Sequence, residues 1–413
     1  MFGKLTNCSF FRRKKGSFVI YALMLFSAML IMLIILINSA AGLMVDGMCD
    51  NFGTLWSKNI LGKYDSFLRE NYGILAFYGN DYLVEEEIKQ YSDYSFQGKK
   101  HIKVKEIKSD LSSYNLTSVN MMEEAIKEAM KSGQEPAKSK DESDNEGKEN
   151  TDRKVTAEWI VQGLPSYGHT DEIYIMGLVN QLKAGIGVRN LIKQQIIDRY
   201  IFKFFKDYTE DRDLPETFFR NEIEYIISGK LSDSEAKKST GTKIKVLRNM
   251  LNLYYLYLCP EKRDGAMALA EILTPGPAAT LTQAVILETW AYQEAENDIN
   301  ILYEGGQVPL IKKDKNWALT LDNVFDEEGK EKEMKSDRKY VKPAVMEGEN
   351  YETYLGVLLC GLPEETKLLR IMDLIQINGK FTYCESFLLA DYCRGLKYSI
   401  NVNGHIREFE DRY

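Results

Sequence analysis

The sequence of 413 residues lacks the short motifs on which most enzyme and metal sites depend. It has only three histidines, and neither Cys-x-x-Cys nor His-Glu-x-x-His occurs, so no zinc site is expected. A Gly-x-Ser-x-Gly elbow and a Gly-x-x-x-x-Gly-Lys-Ser/Thr phosphate loop are also missing. The sequence therefore predicts no cofactor and no metal, and it points away from an enzyme.

The chain also has no excess of basic over acidic residues. The formal net charge is −8, and setting aside the five basic residues before Gly16 leaves −13 for the rest of the chain. An acidic body of this kind repels polyanions. Nucleic acid is therefore not an expected partner.

Acidic residues are absent before Asp46, and charge of either sign is absent from residues 18–37. At about 1.5 Å per residue, this apolar run is long enough to cross a bilayer core of about 30 Å. We predict a single transmembrane helix at 17–44, through which the chain contacts the lipid bilayer. Because basic flanks stay in the cytoplasm, residues 1–16 are expected there, with the C-terminal domain extracellular.

This N-terminus contains two alternative candidate cleavage sites. The basic stretch before Gly16 and Ser17 resembles a prepilin processing junction, although Tyr21 stands where most pilins carry a Glu. Alternatively, the small residues that end at Ala41 supply a signal-peptidase site. Without cleavage at either site, the helix is a permanent anchor.

Periodicity and composition predict an α+β fold that is predominantly helical. We expect a stalk helix continuing from the anchor to about Tyr72 and a small α+β unit within 45–131, a disordered linker or loop at 132–154, and a helical domain at 155–310. An irregular polar region at 311–349 precedes a C-terminal helix and strand unit at 350–413, which packs on the preceding domains. Shorter elements are predicted at 101–107 (strand), 119–131, 218–228, 242–257, 281–303, 351–359 and 364–377 (helices), and 395–409 (strands with a turn at Asn403-Gly404).

Cysteines and paired acids are the remaining candidates for chemistry. Of six cysteines, Cys8 is expected in the cytoplasm, Cys384 and Cys393 could form a disulfide, and most of the others are expected as buried thiols. Paired acids such as Glu222 with Glu224 could serve a membrane-anchored hydrolase that acts on envelope glycan or peptide. With 61 acidic residues, we expect such pairs by chance. A second pair, Glu294 with Asp298, is expected on a helix with one solvated face.

Several sequence blocks, spread over almost the whole chain, carry a resemblance. They lie at 14–21, 64–73, 221–230, 246–252, 294–305 with 308–310, and 351–355 leading to 366–376. Together they resemble an uncharacterised family of firmicute, largely clostridial, envelope proteins.

The N-terminus is similar to that of TadE/TadG-like minor pilins of the tight-adherence (Flp) pilus system. That resemblance implies a non-enzymatic structural protein of the cell envelope, either a component or an accessory of a pilus or secretion assembly, whose partners are other pilus or envelope proteins. Gly16 and Ser17 match the processing junction, and no catalytic residue transfers. The oligomeric state stays open.

Overall fold

Helices form most of the protein in the computed structural model, which describes residues 15–99, 102–138, 153–155, 158–169, 172–184, 195–209, 214–326, 330–332 and 340–413. In these ranges the α-helices are α1 (Lys15–Leu61), α2 (Ser66–Tyr72), α3 (Asp81–Ser95), α4 (Val119–Ser132), α5 (Glu158–Val161), α6 (Ile175–Lys183), α7 (Ile196–Phe204), α8 (Glu222–Ser228), α9 (Asp233–Leu258), α10 (Pro260–Leu273), α11 (Ala279–Tyr303), α12 (Leu321–Val324), α13 (Tyr351–Cys360) and α14 (Glu364–Thr382). The strands are β1 (Phe77–Tyr78), β2 (Val104–Asp110), β3 (Tyr392–Cys393), β4 (Gly395–Val402) and β5 (His405–Arg412). The predicted class, α+β and predominantly helical, is confirmed.

The chain divides into two compact units. The anchor unit contains the chain up to Lys63, Asn80–Leu111 and Gly395–Arg412; the helical unit contains Tyr64–Gly79, Ser112–Arg394 and Tyr413. The predicted ranges 45–131 and 350–413 therefore each contribute to both units. The seven sequence ranges otherwise stay predictions, and most of the linker at 132–154 lies outside the described residues.

The first helix, α1, is 47 residues long, which corresponds to about 70 Å. The predicted continuation of the apolar helix into a stalk helix is confirmed as far as Leu61, where α1 ends, but its extension to Tyr72 is wrong. A new helix, α2, begins instead at Ser66, and the carboxylate of the preceding Asp65 accepts the Leu68 N–H at 3.0 Å and so caps α2. Gly73 ends α2 with a φ of 69°, a left-handed conformation that glycine adopts without strain.

The anchor unit contains an antiparallel sheet with the strand order β2-β4-β5. Alternate residues of β4 are buried, as a half-exposed strand requires. Asn403 and Gly404 have φ values of 54° and 96°, and they form the hairpin turn between β4 and β5 that the sequence predicts. The strand predicted at 101–107 is β2, which begins at Val104; His101 lies outside the described residues.

In the helical unit, α14 is the most deeply placed element. Every residue from Thr366 to Lys380 is buried, and its apolar residues belong to the main core together with residues of α4, α7, α8 and α13. A helix was predicted here, and it continues to Thr382. The helices predicted at 119–131 and 351–359 are confirmed as α4 and α13.

A second hydrophobic cluster of the helical unit lies among α9, α10 and α11. Pro260 is the first residue of α10. Proline is favoured at this position because the first N–H of a helix has no partner inside the helix. Trp317 belongs to this cluster, with its ring centroid 5.5 Å from that of Trp290.

The helix predicted at 218–228 is shorter than expected, because α8 begins at Glu222. The carboxylate of Asp233 accepts the backbone N–H groups of Arg220 and Asn221 at 3.0 and 3.1 Å. These bonds hold the residues before α8 outside the helix. At its other end, Gly229 is the C-cap with a φ of 68°.

A substitution at Gly53 tests how α1 packs against the β4–β5 hairpin of the anchor unit. A Cβ atom at Gly53 would lie 2.3 Å from the Phe409 ring, whereas one at Gly47, in the same helix, would meet nothing within 4 Å. We expect Gly53→Leu to lower the free energy of unfolding of the anchor unit by about 1–3 kcal/mol through overpacking. Gly47→Leu should leave it unchanged or raise it by about 1 kcal/mol.

Amide hydrogen exchange in β4 and β5 of the full chain in detergent micelles measures this difference. Equal protection in the two variants would show that α1 is not seated on the hairpin through Gly53.

Candidate functional site

The N-terminal half of α1 is an apolar surface of the length that a membrane requires. Its large apolar side chains from Phe18 to Ile37 are 44–74% exposed, and within the described residues this is the one helix long and apolar enough to cross a bilayer. Exposure on all sides is typical of a helix that lipid surrounds, because the helix needs no polar face. This surface is the candidate membrane interface.

The C-terminal half of the same helix lies in the core of the anchor unit. Gly53 is the contact point: its carbonyl oxygen accepts a hydrogen bond of 2.7 Å from the Tyr398 hydroxyl group. Trp56 packs edge-on against Phe96 with ring centroids 5.8 Å apart. Arg407 on β5 forms a 2.7 Å ion pair with Asp46, closer to the apolar half. A single uninterrupted helix therefore joins the apolar surface to a folded unit.

Both candidate processing sites fall within α1. Gly16 and Ser17 are in its first turn, and residues 1–14 lie outside the described part of the chain. Ala41 is exposed in the middle of the helix. Cleavage at either site stays a prediction.

The expectation of a solvated face for the pair Glu294 and Asp298 is wrong, and the pair Glu222 and Glu224 is buried as well. Glu222, Glu224, Glu294 and Asp298 are each at most 1% exposed. The sequence pattern missed their burial because the partners that satisfy them are distant in the chain. Buried carboxyl groups need such partners, since an isolated buried charge is very costly.

Glu222 belongs to a hydrogen-bonded network of the helical unit. Its carboxyl group accepts bonds from the Lys206 backbone N–H at 3.0 Å and from the Asn378 side-chain amide at 2.8 Å. The same amide group of Asn378 donates to the Tyr72 hydroxyl oxygen at 2.9 Å. Burial raises the pKa of Glu222 to about 7, although these bonds oppose the shift.

Glu224 lies two residues further along α8. One carboxyl oxygen accepts bonds from the Tyr208 backbone N–H and the Tyr351 hydroxyl group, both at 3.0 Å. The other oxygen, Oε2, is buried and has no hydrogen-bond partner among the described residues. Burial raises the pKa of Glu224 to about 8, and the nearby carboxylate of Asp207 adds to the shift. At neutral pH this carboxyl group therefore carries a proton.

A cluster of two acids and two cations lies between α9, α11 and the segment after α11. Arg248 Nε is 3.0 Å from Asp298 Oδ2, and Lys312 Nζ is 2.5 Å from Asp298 Oδ1 and also contacts Glu294. The Ala318 backbone N–H donates to Glu294 at 2.8 Å. Although burial raises the pKa of Asp298, Lys312 and Arg248 together lower it overall. The cluster is charge-balanced. The acid pair noted in the sequence, Glu294 and Asp298, is therefore neutralised by two buried cations.

The arrangement of these acids differs from that of a hydrolytic site. A general acid and its partner carboxylate must both reach the substrate, whereas Glu222, Glu294 and Asp298 accept hydrogen bonds or ion pairs inside the core. In the described ranges, no three His, Cys, Asp or Glu side chains are grouped so that they could hold a metal ion.

Residues 97–404 match the model of DUF5702, a protein family of unknown function. The chain belongs to this family. No curated protein and no solved structure matches the chain.

The DUF5702 match covers the buried carboxyl groups but not the apolar surface. It includes β2, all the helices from α4 to α14, and β4, and it begins after α1, α2 and α3. The blocks at 221–230 and 366–376 that carry the sequence resemblance coincide with α8 and α14. The features of the family region are therefore those of the folded units, while the membrane interface lies upstream of it.

Five cysteines of this DUF5702 protein are described, and none of them forms a disulfide. Cys393 is buried and Cys384 is exposed, so the disulfide considered between them is not formed in this structure. Cys49 is buried as expected, whereas Cys259 and Cys360 are only partly buried. The Ser386 hydroxyl group, 3.0 Å from Cys384 Sγ, lowers the pKa of the Cys384 thiol.

The raised pKa of Glu224 predicts a pH dependence of stability. Below pH of about 4.5 the carboxyl group is protonated in both the folded and the unfolded chain. Between that value and about 8, only the folded chain keeps the proton, so stability falls as pH rises, by about 1.4 kcal/mol per pH unit. Glu224→Gln removes this dependence, and its stability relative to the wild type should increase steadily from pH 5 to pH 8.

Denaturant unfolding of the full chain in detergent at several pH values measures the effect. Glu216→Gln, whose side chain is 70% exposed in the native protein, is the matched control and should run parallel to the wild type. Parallel curves for Glu224→Gln as well would mean that Glu224 is ionised in the folded state.

Proposed function

We propose that the chain is a non-enzymatic, single-pass membrane protein of the cell envelope, with a cytoplasmic N-terminus and an extracellular C-terminal domain. In this proposal it serves a TadE/TadG-like pilus or secretion assembly, as a component or as an accessory. The apolar half of α1 anchors it and contacts neighbouring helices, while the folded units present surface to partners.

One observation carries the proposal: α1 continues without interruption from an exposed apolar surface into the core of the anchor unit. A permanent anchor that must position a domain gains from such a connection, because a helix of this kind transmits position along its axis. The charge distribution supports the orientation, since five basic residues and no acid precede the apolar run, whereas Asp46 and Asp50 are the first charged residues after it.

A non-enzymatic role is supported by the way the described carboxyl groups are used. The raised pKa values of Glu222 and Glu224 are the one feature that favours the alternative, a membrane-anchored hydrolase of envelope glycan or peptide. Both groups are buried and bonded to backbone or side-chain donors of the core. A substrate would have to open that core to reach them.

The orientation is tested with the native cysteines. Cys384 is exposed and its lowered pKa favours the reactive thiolate, whereas Cys8 precedes the apolar run. We expect a membrane-impermeant maleimide to label intact cells that carry the wild type or Cys8→Ser, and to lose most of this label with Cys384→Ser. Labelling of intact cells that depends on Cys8 would reverse the orientation.

Mass spectrometry of the N-terminal peptide in the same samples tests processing. A first residue at Ser17 indicates pilin-type handling, one after Ala41 indicates secretion, and an uncut N-terminus indicates a permanent anchor. Only the uncut form and the form cut before Ser17 agree with the proposal.

The assembly role is tested by exchanging the anchor. Deletion of the gene should reduce piliation and adhesion, and the full chain should restore both. A variant in which residues 18–37 are all leucine stays at the membrane but should restore them poorly, because lateral contacts of α1 are lost. Unchanged piliation and adhesion after deletion would refute the assembly role and leave the anchor intact.

A further inference from the structure

The anchor unit has a sheet edge that is only partly closed. β2 pairs with β4 on one side and stands at the edge of the sheet on the other. Edge strands expose backbone N–H and C=O groups that can pair with another chain, and proteins commonly cover or block them. How this edge is covered decides what it can bind.

Helix α3 covers one end of the edge. The Ser109 N–H donates to Glu85 Oε1 and the Leu111 N–H donates to Asp81 Oδ1, both at 2.9 Å. These two donors therefore point away from β4 and towards α3. Because donors alternate in direction along an antiparallel strand, the N–H and C=O groups of Ile107 also point away from β4.

The part of the β2 edge that is hydrogen-bonded to α3 does not extend to Ile107. Its partner across the ladder is Ile400, and its outward N–H group has no hydrogen bond to any described residue. A register irregularity between Val104 and Glu106 marks the start of the strand. The open part of the edge therefore extends over 104–107, about 13 Å of strand.

A groove lies along this open part. Its walls are β2 and the face of α3 turned to it; it is lined by Tyr82, Glu85, Glu86, Lys89, Ser92, Asp93 and residues 104–107. Val104 and Ile107 are half-buried, whereas the charged side chains Glu86, Asp93 and Glu106 are exposed. The groove thus offers backbone partners and apolar side chains inside, with charges at its rim.

The charges favour one kind of occupant. Four acidic side chains, at 85, 86, 93 and 106, face two lysines, at 89 and 105. Glu86 and Asp93 form no ion pair with another described residue, so both are free to attract a basic group. A complementary ligand carries positive charge and presents its own backbone as a strand.

We propose that the groove between α3 and β2 is a docking site for a short, extended, basic peptide segment of a partner protein. The segment adds a fourth strand of three or four residues beside β2, with the Ile107 N–H donating to its backbone and its basic side chains near Glu86 and Asp93. Asp81 and Glu85 limit its length because they occupy the edge at Ser109 and Leu111. This site concerns the anchor unit alone and does not depend on the proposed function.

Synthetic peptides added to the full chain in detergent micelles test the proposal. The probe is acetyl-Lys-Val-Lys-Val-Lys-amide; the controls are its Glu-Val-Glu-Val-Glu counterpart and a Lys-Pro-Lys-Pro-Lys version, in which both valine N–H donors are removed and the two prolines fix φ near −65°, away from the β-strand value. We expect the basic probe alone to slow hydrogen exchange at the Ile107 amide. Its Kd should be at least tenfold lower than that of either control.

Charge reversals at the rim separate this site from general attraction to an acidic protein. Glu86→Lys and Asp93→Lys should each raise the Kd of the probe about two- to fivefold, as exposed charges do, whereas Glu410→Lys, on the other edge strand β5, should not change it. Binding without protection of Ile107, or equal binding of the basic and proline probes, would overturn strand addition. Equal effects of all three charge reversals would overturn the location.

Discussion

The burial of α14 is the constraint on which most of the helical unit depends. Thr366–Lys380 is entirely inside, yet the helix carries charged and amide side chains that must find partners there. Lys367 Nζ lies 2.6 Å from Asp198, and Asp373 accepts a bond of 2.9 Å from the Tyr225 hydroxyl group. Each side chain fixes a different neighbouring segment, so one helix sets the positions of several others.

Backbone groups are an equally important part of this arrangement. Arg370 donates to the Ile226 carbonyl oxygen at 2.6 Å, Gln376 to that of Gly163 at 3.0 Å, and Lys380 to that of Gln162 at 2.8 Å. Gln162 and Gly163 follow the short helix α5 and lack the repeating bonds of regular structure. Side chains of α14 supply what these carbonyl groups would otherwise obtain from water. Replacing one of them would therefore affect a loop as well as the helix.

The local elements followed from the sequence far better than the polar core did. The alternation before Asn403-Gly404 and the helical periodicity at 119–131 are local patterns, and they predicted the observed β4–β5 hairpin and α4. Burial of Glu294 and Asp298 depends on Arg248 and Lys312, which are separated from them by many residues. A charged residue on a helix predicts solvent unless its distant partner is known, and no periodicity supplies that partner. The burial of Trp317 could not be predicted for the same reason, because the aromatic rings that pack against it belong to α9 and α11.

The long apolar helix was predictable for the opposite reason, because the length and composition of a single run decide it. What the sequence did not reveal is where the exposed apolar part of α1 ends and the part that packs in a folded unit begins. Gly53 fixes that point by admitting the Phe409 ring and accepting the Tyr398 hydroxyl group. From residue 37 to Gly53 the helix rises about 24 Å. Since α1, the hairpin and β2 belong to one compact unit, the open edge at Ile107 is held at a fixed distance from the end of the apolar run. In the proposed membrane-anchored protein, a partner segment that binds this edge would have to reach it close to the bilayer, which favours a partner that is itself anchored in the same membrane.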